Sequence, residues 1–471
     1  MKTKLTRNLS ANTLQLIINQ FFGAVTFYVL SVNIDKNSFG QINLVLAILL
    51  AVFNIISLGI DQVVIKKIAN GDDPEHILSL YTFHVILSGL LFYGILLTGK
   101  LLFAQHEQLY NLLLFIGLGK LMVFLSAPLK QVCSGMERFG LLSYMLIISN
   151  IVKGIGLLIL ALSHLMSINN IVIVFITGDV LEFLSSVILF RRYIKVPVVP
   201  RFNKAGYSKL VHESLPQVGV VLITSALARF DWLFIGFMVS AVKLAEYSFA
   251  YKIFEISTLP LLAIAPLLIP RFTRLFKNAD SPDTDLEIVI RFEIIVAAAT
   301  GLLLNLYWNP VVDVITQGKY GAVNTSVIFI LSLCIPFLYL NNFLWTIFFV
   351  QNRLKMILRC FLTTFCVNVA GDLILIPFFN NEGAAVAFLL ACLTQGIFYF
   401  SQNGLPQLKD AFYTLLLCIA CACLSGLVTQ FVTKNPWLTG FTAMVIFCVF
   451  LRVAGQIKPG DHKRIGYILN L

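Results

Sequence analysis

The sequence predicts an all-α polytopic membrane protein of about fourteen transmembrane helices. Three observations carry that expectation. The first is composition: 58% of the 471 residues are hydrophobic, 12% are charged, and the mean hydropathy is +0.88. Soluble chains average about 45–50% apolar and about 25% charged residues. Surface grows too slowly with size for a soluble domain to hide so much apolar side chain, so lipid is the expected solvent. The second is the recurrence of apolar runs near the length of about 20 residues that a bilayer span requires. The third is a strong alternation of basic residues between successive loops.

The expected spans, in order, are Ala11–Val32, Gly40–Ile60, Ile77–Thr98, Leu109–Leu129, Leu141–Ser163, Asn169–Phe190, Ser214–Val239, Leu244–Ile269, Glu287–Trp308, Asn324–Val350, Met356–Phe379, Gly383–Ser401, Ala411–Val432 and Trp437–Gly455. The first is too long for a cleavable signal and has no small-residue cleavage site before the second. One set of loops holds 24 of the 34 Lys and Arg, among them Lys66, Lys67, Lys130, Arg138, Arg191 and Arg192. The alternate loops hold 5, and 5 more lie inside spans. By the positive-inside rule both termini are expected in the cytoplasm.

This placement absorbs most of the +11 net charge and removes nucleic acid as a partner, since binders of nucleic acid gather bases on a soluble face. The nine cysteines read as small buried apolar groups. Cys418, Cys421 and Cys423 have metal-like spacing, but no histidine accompanies them and they fall in an apolar span, so no metal or other cofactor is expected.

The longest connection, Arg191–Glu213, divides the chain. It suggests a first lobe over 1–190 (spans 1–6), a cytoplasmic linker over 191–213 with an amphipathic helix at Asn203–Glu213, a second lobe over 214–402 (spans 7–12), and two further spans with a tail over 403–471. The halves resemble each other. Ser38–Asn70 parallels Leu244–Asn278, each starting just outside, spanning once and ending in a basic loop. "MERFGLLSYMLIISNIVKGIGLLIL" from Met136 aligns without gaps to "QNRLKMILRCFLTTFCVNVAGDLIL" from Gln351, so that Arg138 meets Arg353, Lys153 meets Asn368 and Gly156 meets Gly371. Both copies enter the membrane in the same direction, the mark of parallel repeats about an axis along the membrane normal.

Several stretches now resemble a known group: "SFGQINLV" before span 2, "SLGIDQVVIKKIA" at its inner end, "GMERFG" after span 4, and "ARFDWLFIGFMVSAVKLAEYSFAYKIFE" across spans 7 and 8. With two parallel six-span halves plus two spans, the chain resembles the polysaccharide-transporter branch of the multidrug/oligosaccharidyl-lipid/polysaccharide exporter superfamily. The resemblance implies the V-shaped two-lobe fold of that superfamily. It also implies a flippase of the bacterial inner membrane that moves an undecaprenyl-diphosphate-linked oligosaccharide, such as an O-antigen unit of lipopolysaccharide, from inner to outer leaflet. Coupling to H+ or Na+ by antiport, and a polysaccharide polymerase and chain-length regulator as partners, would follow from the same resemblance.

Ionisable residues at bilayer depth are costly by about 2.5–3.5 kcal/mol on insertion scales and are functional candidates by default. The bases are Lys120 (span 4), Lys153 (span 5), Arg229 (span 7), Lys252 (span 8) and Arg291, which is near enough to the inner end of span 9 to snorkel. The acids are Asp179 and Glu182 (span 6), Asp231 (span 7), Glu255 (span 8) and Asp372 (span 11), with Asp61 at the inner end of span 2. Helical spacing makes Asp179 and Glu182 neighbours, and Lys252 and Glu255 a potential pair. Polar stripes run along Asn12–Gln15–Asn19, Asn54–Ser57–Asp61, Tyr247–Tyr251–Glu255–Thr258 and Thr364–Asn368–Asp372. Arg229 and Asp231 lie about 200° apart on a regular helix, so Arg229, with Ser225, is expected to face a cavity and Asp231 a neighbouring helix.

A diphosphate leaving water needs fixed positive charge. Arg229 suits it by its permanent, bidentate guanidinium. Lys120, Lys153 and Lys252 would add charge, and Asn19 and Tyr251 would meet sugar hydroxyls. Asp179, Glu182, Glu255 and Asp372 are candidates to carry a coupling ion. Structural pairing, such as Lys153 with Asp179, is the competing role for each. No phosphate-binding loop or nucleophile motif is present. A cation-coupled multidrug exporter and a membrane-embedded polysaccharide polymerase or ligase are the alternatives. The second would need a long outer loop for catalytic groups, and none here exceeds about 15 residues; the chain is therefore not expected to be an enzyme.

Overall fold

The computed structural model describes residues 2–102, 107–201, 203–259, 261, 272, 283–402, 408, 410–433 and 435–457. Within residues 2–12 and 220–228 only the backbone is described, so Asn12 and Ser225 lie outside the described side chains, and Pro260 and residues 262–269 of expected span 8 lie outside the described residues, as do the basic residues Arg271, Arg274, Lys277 and Lys409. Among the described residues the chain is helical, with no strand.

The helices are α1 (Lys2–Asn33), α2 (Lys36–Ile56), α3 (Ile60–Ala69), α4 (Pro74–Leu102), α5 (Glu107–Leu125), α6 (Ala127–Gly135), α7 (Phe139–Leu162), α8 (Ile168–Tyr193), α9 (Lys204–Met238), α10 (Ala241–Ser257), α11 (Asp283–Thr316), α12 (Thr325–Val350), α13 (Leu354–Ser401), α14 (Ala411–Val432) and α15 (Pro436–Val453). Among the described residues nine helical stretches are long and apolar enough to span a membrane. One of them, α13, is broken at Asn380 (φ 50°, ψ −123°), between the two spans expected there. Many large apolar side chains face outward, Phe431 being 90% and Val453 84% exposed. That is the distribution expected where lipid, not water, covers the surface.

The helix ends are written in the sequence. Asp35 and Ser167, both in extended conformation, accept from the backbone N–H groups of Ser38 and Asn170 and so open α2 and α8. Ser240 caps α10 through the Lys243 N–H. Leu58 (φ 51°) and Gly59 (φ 65°) separate α2 from α3. A Cβ at Gly59 would lie 2.7 Å from that of Gln217, so glycine serves both the left-handed turn and the close approach of α9.

Contacts divide the chain into Met1–Leu233 and Phe234–Leu471, a boundary inside α9. In the first unit α1 packs along α7, α7 along α8, and α5 along α2 and α8. The interfaces are lined with glycines, as in other membrane helix pairs: a Cβ at Gly154 would meet Phe22 at 2.6 Å, and one at Gly156 would meet Val174 at 2.9 Å. At the end nearest the basic loops, Ile60, Val64, Leu78, Tyr81, Val132, Met145 and Phe190 form a closed core that takes in Leu210 of α9. The 191–213 connection is held to this core. Ser79 Oγ accepts from the Arg201 N–H at 2.8 Å, and His84 bridges Tyr207 Oη (3.0 Å) and the Ile56 carbonyl (2.8 Å). Residues 204–213 are helical, as the first turns of α9 rather than a separate helix, and Leu210 is buried in the core.

In the second unit α12 is the central helix, packed by α11, α13, α14 and α10. Phe249 stacks on Tyr320 at 4.3 Å, and Trp308 donates Nε1–H to the Gly321 carbonyl at 2.9 Å. The sequence repeat has a backbone counterpart. Glu137 (φ 55°) and Asn352 (φ 57°) are both left-handed, and Arg138 (φ −88°, ψ 52°) and Arg353 (φ −86°, ψ 48°) both precede a helix. Their N–H groups reach back in the same way, to Cys133 and Phe348 carbonyls at 2.9 Å each.

Candidate functional site

Two of the expected intramembrane bases of the first unit, Lys120 and Lys153, converge on one carboxylate. Lys153 on α7 approaches Asp179 Oδ1 on α8 at 2.5 Å, Ser149 donates to the same oxygen at 2.8 Å, and Lys120 on α5 reaches it at 3.4 Å. Ser149 and Lys153 are one helical turn apart, so both face α8. Lys153 also lies 5.1 Å over the Phe175 ring. Two glycines let three helices come this close. A Cβ at Gly119 would sit 3.0 Å from Asp179 Oδ2, and one at Gly178 would sit 3.1 Å from the Ser149 carbonyl.

One turn along α8, Glu182 pairs with Lys130. Lys130 was expected in a basic loop. Instead it is buried on α6, because the helical stretch Glu107–Gly135 continues past the bend at Ser126 and carries it inside. Three lysines therefore face two carboxylates, an excess of one positive charge. Lys153, Lys130, Asp179 and Glu182 are all buried, whereas the Lys120 side chain is 31% exposed. The positive excess thus reaches the surface of the cluster at Lys120. Asn19 of α1 accepts from Asn150 Nδ2 at 3.0 Å, next to Ser149.

Arg229 on α9 stacks on the Trp232 ring, its guanidinium carbon 4.4 Å from the centroid. Asp231 is buried and accepts from the backbone N–H of Trp232 at 2.8 Å. In the second unit Lys252 pairs with Glu255 at 2.8 Å, the i, i+3 contact that spacing suggests. Tyr251 is buried against Phe254 and Phe388, with ring centroids 5.6 and 6.0 Å away. Asp372 is buried and accepts from Asn368 Nδ2 at 3.2 Å, and Thr364 and Asn368 are buried with it. That polar stripe of α13 faces the protein. Arg291 does not snorkel: its side chain is 7% exposed and bonds Glu287 at 3.1 Å. A partner one turn away satisfies the charge without an excursion to the interface.

One residue escapes the sequence reading. Glu293 on α11 is 2% exposed, and neither carboxylate oxygen has a hydrogen-bond partner among the described residues. Its only signal in the sequence is the row Glu293–Ala297–Gly301 at i, i+4, i+8, a polar group followed by small residues on one helix face.

On the water-facing side, Lys67 at the end of α3 bonds Glu213 at 2.8 Å and lies 3.6 Å from Asp72. The hydrogen bond holds the Glu213 carboxyl below its ordinary range and the Lys67 ammonium above its own.

Known proteins share this architecture. Over 95% of this chain, the lipid II flippase MurJ in an inward closed conformation superposes with a TM-score of 0.74 at 13% identity, covering 98% of that chain. An inward-facing multidrug resistance MATE family transporter of the MOP superfamily gives 0.64 at 11% identity, over 83% of this chain and 97% of that one. A MOP superfamily transporter from Pyrococcus furiosus gives 0.52 at 11% identity, over 85% and 94%. No curated protein matches the sequence. The sequence pattern of the polysaccharide biosynthesis protein family matches residues 5–276, more than half of the chain. With the fold of flippases and transporters around a cluster of intramembrane lysines, the chain is a member of the polysaccharide biosynthesis protein family.

Proposed function

We propose that the chain is a flippase of the bacterial inner membrane, with both termini in the cytoplasm. It carries an undecaprenyl-diphosphate-linked oligosaccharide from the inner to the outer leaflet by alternating access. The observation that carries this reading is the lysine cluster: Lys120, Lys130 and Lys153 against Asp179 and Glu182. A diphosphate entering low dielectric needs compensating cations. Lys120 is the member suited to exchange its partner. Its contact with Asp179 is the longer one, and Lys153 and Ser149 keep that carboxylate satisfied when Lys120 turns to a phosphate oxygen. Arg229, oriented by the Trp232 ring, supplies the bidentate contact, and Asn19 stands near the cluster for sugar hydroxyls. The family match and the fold shared with a lipid II flippase support the same substrate class. A cationic-drug exporter would be served by an acidic excess, the opposite of what the Lys120–Lys130–Lys153 cluster carries.

The test is genetic and chemical. Deleting the gene should accumulate undecaprenyl-linked saccharide on the inner leaflet, and the wild-type chain should clear it. Arg229→Ala should fail to clear it at normal protein level, with Arg229→Lys intermediate. No accumulation on deletion would overturn the flippase reading. Full clearance by Arg229→Ala would remove only Arg229 from the head-group site.

A further inference from the structure

Glu293 stands apart from the other intramembrane acids. Asp179, Glu182 and Glu255 are in ion pairs, and Asp372 accepts from Asn368. Glu293 is 2% exposed, with both oxygens buried and no hydrogen-bond partner among the described residues. It lies six residues, about 9 Å of helix rise, beyond Glu287, inside the expected span Glu287–Trp308.

Its surroundings follow from the crossing of α11 and α12. A Cβ at Gly301 would lie 2.9 Å from the Ser332 carbonyl oxygen, so the two antiparallel backbones touch there. Two turns down the same stripe of α11 is Glu293, and two turns along α12 is Tyr339, its electrostatic neighbour. Pro336, between them, has no N–H to give the Ser332 carbonyl four residues earlier, which leaves a backbone acceptor at the contact. A groove of about 240 Å³ opens just above, lined by Ala298, Gly301, Asn305, Ser332 and Pro336 among others. Asn305 donates to Ser332 Oγ at 3.4 Å.

The other titratable groups around it are occupied or distant in kind. Arg291 pairs with Glu287 on α11 itself, and Cys418 of α14 lies beside Arg291. Helix α10 brings the Lys252–Glu255 pair. Among the described residues of α15 the charged side chain is Arg452, in its last turn.

An ionised carboxylate without a counter-charge is prohibitively costly at this depth. A proton removes the cost without the cage of oxygens that a hard metal cation requires. We propose that Glu293 is a proton-binding site of the transport cycle, neutral when sealed between α11 and α12 and releasing its proton when those helices part and water reaches it. This rests on the transporter reading above.

The experiment uses the full chain in lipid. Infrared titration should show the carbonyl stretch of a neutral carboxylic acid persisting well above the pH at which an ordinary glutamate ionises. Glu293→Gln, which mimics the protonated form, should fold like the wild type and lose that band. In proteoliposomes loaded with an undecaprenyl-diphosphate saccharide, the wild type should flip faster under a pH gradient, and Glu293→Gln should lose that acceleration while still flipping without a gradient. A band unchanged in Glu293→Gln, acceleration retained by the variant, or acceleration by a sodium gradient in place of a proton gradient would each overturn the proposal. A wild type that flips nothing would overturn the transport reading instead, with the infrared result still deciding whether Glu293 holds a proton.

Discussion

Lys153 and Asp179 meet at 2.5 Å across α7 and α8, and Lys120 closes on the same carboxylate oxygen from α5. The carboxylate is shared, so the two sides of the pair are not equivalent. Asp179→Asn leaves two ammonium groups facing each other in the bilayer. Lys153→Met leaves Asp179 with Lys120 and Ser149. Breaking a buried pair typically costs about 3–5 kcal/mol, whereas replacing both partners by apolar groups can be near neutral. Asp179→Asn is therefore expected to be the more destabilising single change, and Lys153→Met in the same chain should recover most of the loss. Thermal unfolding of the three variants in detergent checks the order. Equal losses for the two single variants would refute the shared-carboxylate picture.

Two glycines of neighbouring helices should respond oppositely to alanine. At Gly119 an added Cβ meets Asp179 Oδ2 at 3.0 Å and the Ile176 Cα at 3.4 Å, whereas at Gly94 nothing lies within 4 Å. Overpacking costs about 1–3 kcal/mol, while glycine inside a helix costs about 0.5–1 kcal/mol relative to alanine. Gly119→Ala should lower the melting temperature and Gly94→Ala should raise it slightly. A neutral Gly119→Ala would show that α5 and α8 can separate without loss.

How much of this was legible beforehand depended on whether a signal was local. The all-helical membrane-spanning class was, because lipid selects apolar runs residue by residue, and nine such stretches stand among the described residues. The Lys252–Glu255 pair was, because it lies within one helix. The Lys153–Asp179 contact was named only as a competing possibility, since spacing places residues on a face but does not say which helix that face meets. Lys130 was expected in a basic loop with Arg138 because the apolar run of span 4 ends at Leu129. Only the continuation of the helix past Ser126 shows it buried. Glu293 was passed over because Glu287 and Arg291 nearby read as the edge of a span. Its isolation is a property of α12 packing, which no window of sequence contains.

The Lys67–Glu213 bond ties the end of α3 to the first turns of α9, and it should be visible as pH-dependent stability. Glu213 is depressed by the bond, so its contribution is present above the ordinary glutamate value of 4.5 and is lost as pH falls through its lowered folded value. Lys67 is raised, so its contribution is present below the ordinary lysine value of 10.5 and is lost as pH rises through its raised folded value. Both side chains are partly solvated, which limits the pair to about 0.2–1 kcal/mol. The wild type should exceed Glu213→Gln by that amount near neutral pH, and the difference should vanish in strong acid and shrink in high salt. The same difference in acid as at neutrality would mean that Glu213 acts by packing rather than by charge.

The repeat makes a paired prediction. Glu137 and Asn352 occupy equivalent turns, at φ 55° and 57°, and each is followed by an arginine whose N–H bonds a carbonyl five residues back at 2.9 Å. A left-handed residue with a Cβ is strained by about 1–2 kcal/mol, with Asn tolerated better than most because its short side chain can bond locally. Glycine relieves that strain but loses more entropy on folding. Both Glu137→Gly and Asn352→Gly should therefore stabilise, the first by about 0.5–1 kcal/mol and the second by less. The ranking is the informative part: it tests whether one backbone turn, copied into both halves, has kept the better-suited residue in only one of them. If Glu137→Gly destabilises, the Glu137 side chain must be making a contact that outweighs the strain, and the two turns are alike in backbone but not in energetics.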